Sequence, residues 1–230
     1  MIRIFAFLMV ASVFGQGAPA PTLQVPSTRE PHHNVKLENR YVRVLDVTVD
    51  PFDGTLYHIH ENPYTWVSIG PATLKAQVLG SDVITDLNPK DGEVRYSPAV
   101  THRVGNIGST PFRNITIQIQ GKDDTQTPPS GLLAEAHAAG PQTEIAFEND
   151  LIRVDRLSIA PGRASVPHSH RKSHLLVAVH RATVKFDAAG HPSVTQLMQP
   201  GDFDWHTGAY THTITNTGTT PFDAIEVTWK

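Results

Sequence analysis

Laid on itself with a shift of 110 residues, the chain pairs Glu38-Asn39 with Glu148-Asn149, Arg43-Val44 with Arg153-Val154, Pro51 with Pro161, and Thr110-Pro111-Phe112 with Thr220-Pro221-Phe222. No gap is needed. The same shift lays His58 on His168, His60 on His170, Gly80 on Gly190, His102 on His212, Asn106 on Asn216 and Gly108 on Gly218. Roughly a quarter of the aligned positions are identical, concentrated on Gly, Pro, Asn and His, the residues a duplicated fold keeps for its turns and sites. The repeat predicts two like domains, 34–120 and 143–230. The joining segment 121–142 reads as a linker through Asp123, Asp124, Pro128, Pro129 and Gly131, with a short helix expected over 132–139.

Within each repeat the residues favour strands. Residues 41–49, 151–159 and 115–119 alternate apolar with polar, and Gly, Pro, Asn and Asp interrupt at short intervals. Long amphipathic helical periodicity is missing, so the expected class is all-β. Many short strands in each repeat mean a sandwich or a small barrel, and small barrels hold ligands in their mouths.

Residues 1–20 carry Arg3, an apolar run over 4–14 and a small-residue end, the pattern of a secretory signal cleaved near 17–20. A run of that length is too short to span a bilayer comfortably. A Pro-rich arm, 21–33, follows. The expectation is an exported protein, periplasmic or secreted, with no membrane association after cleavage. With 19 Lys+Arg against 22 Asp+Glu and no basic cluster, nucleic acid is not an expected partner. The absence of cysteine excludes disulfides, zinc-thiolate sites, iron-sulfur clusters and a thiol nucleophile.

Histidine is abundant, 13 in 230 residues, and its spacing carries the chemistry. His58-Ile-His60 and His168-Ser-His170 place two imidazoles at i and i+2. On a strand these point to one face about 6.7 Å apart at the backbone, a separation that suits chelation of one ion. In both halves a third histidine, His102 or His212, lies 42 residues beyond the pair and four before an Asn. An isolated His-x-His on a strand is more often a surface or hydrogen-bonded pair, but the same trio kept in register by both repeats points to metal.

At these residues the sequence resembles the cupin superfamily, specifically the two-domain bicupins, which are two double-stranded β-helix (jelly-roll) barrels in tandem. The first family motif is seen in His58, His60 and in His168, His170; the second runs from Pro98 to Asn106 and from Pro200-Gly201-Asp202 to Asn216. The family's Glu, four residues after the second His, is Tyr64 in one repeat and His174 in the other, so neither half shows a three-His-one-Glu set and oxalate chemistry is not implied. The resemblance therefore implies His168, His170, His174 and His212 as metal ligands in the second repeat, with His174 beside the ligands rather than on the ion as the alternative. In the first it implies His58, His60 and His102, with Tyr64 as fourth ligand or nearby donor. The cofactor implied is a divalent transition metal, Fe, Mn, Ni, Cu or Zn. An all-imidazole centre leaves the ion's charge uncompensated and should attract an anionic bidentate ligand such as an enolate, hydroxycarboxylate or catecholate. The implied function is a dioxygenase of the Fe type or a related lyase; the alternative is a non-catalytic module that binds a metal ion or small acid. Tyr64, His180 and His206 are the candidates for acid, base or donor beside the metal, with barrel filling as the competing role for the two histidines. Trp66, Phe112, Phe203, Trp205 and Phe222 read as barrel wall, and Glu61 and Arg171 as charges on the opposite face. His32-His33, His137 and His191 belong to no constellation. The open sheet edges of jelly rolls leave room for a homodimer.

Overall fold

The computed structural model describes residues 23–124, 143–188 and 190–230. The expected signal segment and most of the joining segment, including its expected helix, lie outside the described residues.

The first repeat begins in the arm, which is not without structure. A short strand β1 (Gln24–Pro26) and a single 3-10 turn (Ser27–Arg29) precede β2 (His33–Glu38), β3 (Val42–Val49), β4 (Tyr57–His60), β5 (Tyr64–Ser68), β6 (Leu74–Val78), β7 (Ile84–Leu87), β8 (Val94–Ser97), β9 (Val100–Asn106) and β10 (Phe112–Ile119). The second repeat has β11 (Thr143–Glu148), β12 (Ile152–Ile159), β13 (His168–His170), β14 (His174–Ala178), β15 (Ala182–Ala188), β16 (Val194–Met198), β17 (Phe203–His206), β18 (Tyr210–Asn216) and β19 (Phe222–Trp229). Six of its strands, β11, β12, β14, β16, β18 and β19, start 110 residues after their counterparts. The strand pairs opening the two repeats even share a register shift, between Val35 and Leu37 and between Ile145 and Phe147.

Each repeat folds two sheets face to face. In the first these are β2-β3-β10-β5-β8 and β1-β4-β9-β6-β7; in the second, β11-β12-β19-β14-β17 and β13-β18-β15-β16. Strand order is that of a jelly roll, with β10 and β19 each lying between two antiparallel neighbours. The arm adds β1 to the first barrel by pairing parallel with β4.

Period-two alternation assigns the core. One face of β3, β5 and β10 turns into the first barrel, where Leu45, Val47, Val49, Leu74 and Phe112 cluster. The corresponding face of the second repeat contributes Leu157, Ile159, Leu176, Phe186, Ile214 and Phe222. The other face is also apolar. Val42, Val44, Val67, Ile115 and Ile117 of the first repeat pack with Ile152, Val154, Leu175, Val177, Ile225, Val227 and Trp229 of the second in one buried cluster, so the two barrels are joined back to back through sheets apolar on both sides. Phe203 and Trp205, expected as barrel wall, cover this shared cluster instead. Trp205 stands edge-on to Trp229, with ring centroids 5.0 Å apart.

Candidate metal centres

His168 and His170 sit on β13, antiparallel to β18, and the register puts His168 opposite His212. In the first repeat β4 and β9 place His58 opposite His102 in the same way. One ligand atom from each of His58, His60 and His102 lies within 4.8 Å of the others. His168, His170 and His212 gather likewise, together with Glu226.

Glu226 was not anticipated, and His174 is not in the group. On β19 the inward residues are Phe222, Ala224 and Glu226, and Glu226 Oε1 comes to 3.2 Å from His170 Nε2. The repeat concealed this residue, because position 226 aligns with Thr116. A lone carboxylate at inward parity on β19 was the available signal. His174 lies on β14 with its ring stacked on His170, centroids 3.8 Å apart, and both its nitrogens are buried without a hydrogen-bond partner. The second site is therefore a three-His-one-Glu group, not the all-imidazole set the sequence led us to expect.

Local contacts hold the rings. His58 Nδ1 is 3.0 Å from Leu56 O and His168 Nδ1 is 2.9 Å from Val166 O, each a backbone acceptor two residues back. A proton on Nδ1 leaves Nε2 as the bare nitrogen for an ion. Gln118 Nε2 donates to His60 Nδ1 at 2.9 Å and pins that ring. Burial, reinforced by the neighbouring imidazoles, pushes His102 and His212 down to about 3 and His60 to about 2. All three are neutral, the form that binds metal. Burial alone would raise the Glu226 carboxyl, but the facing His170 holds it below the usual carboxylate range.

The fit to a metal rests on buried groups crowded together. Among the described residues, Nδ1 of His212 is buried without a hydrogen-bond partner, His168 Nε2 and His212 Nε2 stand only 2.9 Å apart, and Glu226 Oε1 lies 3.2 Å from His170 Nε2. Bare imidazole nitrogens and a carboxylate crowded to this extent are costly without a cation between them. The donors, imidazole and one carboxylate, are those of a divalent transition metal, and both groups can hold one.

The other candidates separate. Tyr64 stacks on His60 at 4.1 Å and its hydroxyl is 3.4 Å from His102 Nε2; burial pushes the phenol up to about 12, so it stays a proton donor. His206 stacks on Tyr210 at 3.9 Å and on His174 at 5.1 Å, and its Nε2 is 2.8 Å from Asp204 Oδ2, so it edges the second site. His180 does not face inward. β14 ends at Ala178, the alternation ends with it, and the imidazole is exposed at the junction of the repeats, with Asp223 and Asp91 each 2.8 Å away. His33, thought to have no constellation, has its ring 4.5 Å from that of His58, with Nδ1 held 2.8 Å from Ser27 O. His32 bridges Glu30 and Asp53. Glu61 and Arg171 are exposed, as alternation predicted, and His137 lies outside the described residues.

A cavity of about 260 Å³ opens onto His58, His60 and His102 in the first barrel. Its lining includes the apolar Trp66, Ala76, Val104 and Phe112 together with the polar Arg95, Tyr96, Asn114 and Thr116.

No protein-family model and no curated protein matches the sequence. Among solved structures the chain is similar to AerE from Microcystis aeruginosa, with a TM-score of 0.62 at 13% identity over 87% of this chain and 98% of that one. It is also similar to Bacillus subtilis oxalate decarboxylase, a protein with Mn(II) centers, at TM-score 0.59 and 12% identity over 85% and 74% of the two chains. The fold is that of a bicupin. Within that fold the two histidine groups are candidate metal sites.

Proposed function

We propose that this is an exported bicupin whose first barrel is a metal-dependent active site for a small, oxygen-rich or enolisable anion, with dioxygenase-type or related lyase chemistry. The observation that carries the reading is the cavity opening directly onto His58, His60 and His102. No carboxylate stands among these three ligands, since Thr116 occupies the place of Glu226. A divalent ion held there keeps its full charge and draws an anionic ligand. When bound, the metal would supply Lewis-acid or redox chemistry. The protein supplies the imidazoles, the Tyr64 hydroxyl as donor at their edge, and a partly apolar chamber beside them.

A second reading, a binding module without turnover, is favoured by one observation. The described residues lining the cavity include no Asp or Glu to act as general acid or base.

Elemental mass spectrometry on untagged protein tests the metal sites first. We expect two equivalents of transition metal per chain, falling to one in His58→Ala or His102→Ala and to one in His168→Ala or His212→Ala. Unchanged metal content in these variants would overturn the assignment. Oxygen uptake with catecholates, hydroxycarboxylates and β-diketones then separates enzyme from binding module, because only the enzyme consumes oxygen or converts the compound.

A further inference from the structure

The two barrels can be compared residue by residue at the layer behind the metal ligands, because strand register there is shared. In the second barrel Phe186 on β15 pairs with Ile214 on β18, and both belong to the buried core cluster. In the first, the same register pairs Ala76 on β6 with Val104 on β9, and both line the cavity. Where one repeat places a benzyl group, the other places a methyl. The ring that completes the second barrel is missing from the first, directly behind His102, since Val104 is the next residue on the inward face of β9.

A second observation lies deeper on β10. Asn114 is only 5% exposed and lines the same cavity. Its Oδ1 accepts from Thr116 Oγ1 at 2.7 Å. The aligned residue in the second barrel is Ala224, a member of the apolar cluster. The amide therefore gives the cavity a polar group where the second barrel has only a methyl.

We infer that the first barrel takes chelating acids that carry a ring: the oxygen head meets the metal at His58, His60 and His102, and the ring fills the hollow over Ala76 that Phe186 fills in the second repeat, reaching toward Asn114. The inference rests on the proposed function and deepens it. It commits the site to an aryl-bearing acid rather than a wholly polar one such as a dicarboxylate of two carbons. Trp66, which lines the same hollow and stands edge-on to Phe112 at 5.9 Å, gives such a ring an aromatic wall.

The test uses two probes with the same 2-hydroxy-acid head, mandelate and glycolate, which differ by the phenyl ring. Their affinities are measured by calorimetry on the full, zinc-loaded protein. We expect mandelate to bind at least tenfold more tightly than glycolate, since burying a ring in a preformed apolar hollow is worth more than a methylene. Ala76→Phe should bring the ratio close to one without changing zinc content. Ala76→Leu, a smaller intrusion, should give an intermediate ratio and guards against a fold defect in the larger variant. Equal affinities in the natural protein, or a ratio untouched by both variants, would overturn the ring-binding inference and leave the metal-bound anion standing. If neither acid binds zinc-loaded protein, the anion reading itself falls, and this inference with it.

Discussion

Glu226 and Thr116 occupy the same place in the two repeats, and that single exchange sets the charge of the two centres. A carboxylate beside three imidazoles neutralises part of a divalent ion's charge, whereas a hydroxyl neutralises none. We expect Glu226→Gln to weaken metal binding at the second site by about 10- to 100-fold, the range seen when a group supporting a metal site is lost, while leaving the first site unchanged. Competition with a chromophoric chelator measures both sites, and an unaltered second-site affinity would remove Glu226 from the ligand set. The histidine trios were legible in the sequence because identical spacing in both halves outweighed chance. Glu226 and His33 were not, since each is present in only one repeat and nothing in the linear pattern brings it to the cluster.

The turn between the penultimate and last strands of each repeat hangs on an asparagine. Asn106 Nδ2 donates to Val49 O, Asp50 O and Thr110 O, and its Oδ1 accepts from Gly108 N; Asn216 does the same with Ile159 O, Thr220 O and Gly218 N. Both side chains are fully buried. The glycines two residues on are kept for space: a Cβ on Gly218 would stand 3.0 Å from Thr183 N. The Asn that follows each third histidine therefore pins the β9–β10 and β18–β19 corners, holding His102 and His212 in register. Asn106→Ala or Asn216→Ala should each cost about 2 kcal/mol or more, because buried carbonyls lose their donor. Urea unfolding reads this as a lower midpoint at unchanged slope, and a loss under about 0.5 kcal/mol would show that the corner holds without the amide. Alternation predicted these strands correctly, but it could not tell which apolar face looks into a barrel and which meets the other repeat.

Across the whole molecule the repeats are held by the shared apolar sheets and by polar links at the rim. Arg113 pairs with Asp46 and donates to Pro200 O of the other repeat at 2.8 Å. His180 stands between Asp223 of its own repeat and Asp91 of the other. Hydrogen bonds to these two carboxylates raise its pKa. A histidine whose folded pKa lies above its unfolded value of about 6.5 stabilises fully below that value, and the contribution is lost as pH rises through the folded pKa. His180→Gln should therefore lower the thermal midpoint at about pH 6 and lower it less, or not at all, at about pH 9. A deficit that is constant across this range would mean that the imidazole acts by packing, not by charge.

By itself the sequence determined the duplicated all-β architecture, the bicupin resemblance and the two histidine trios, because these rest on period-two alternation and on residues repeated at a fixed offset. Only the tertiary structure decided what differs between the halves. The cavity beside Ala76, the carboxylate of Glu226, the outward turn of His180 and the approach of His33 each depend on residues distant in sequence meeting across two sheets, and no local pattern of side chains specifies such a meeting.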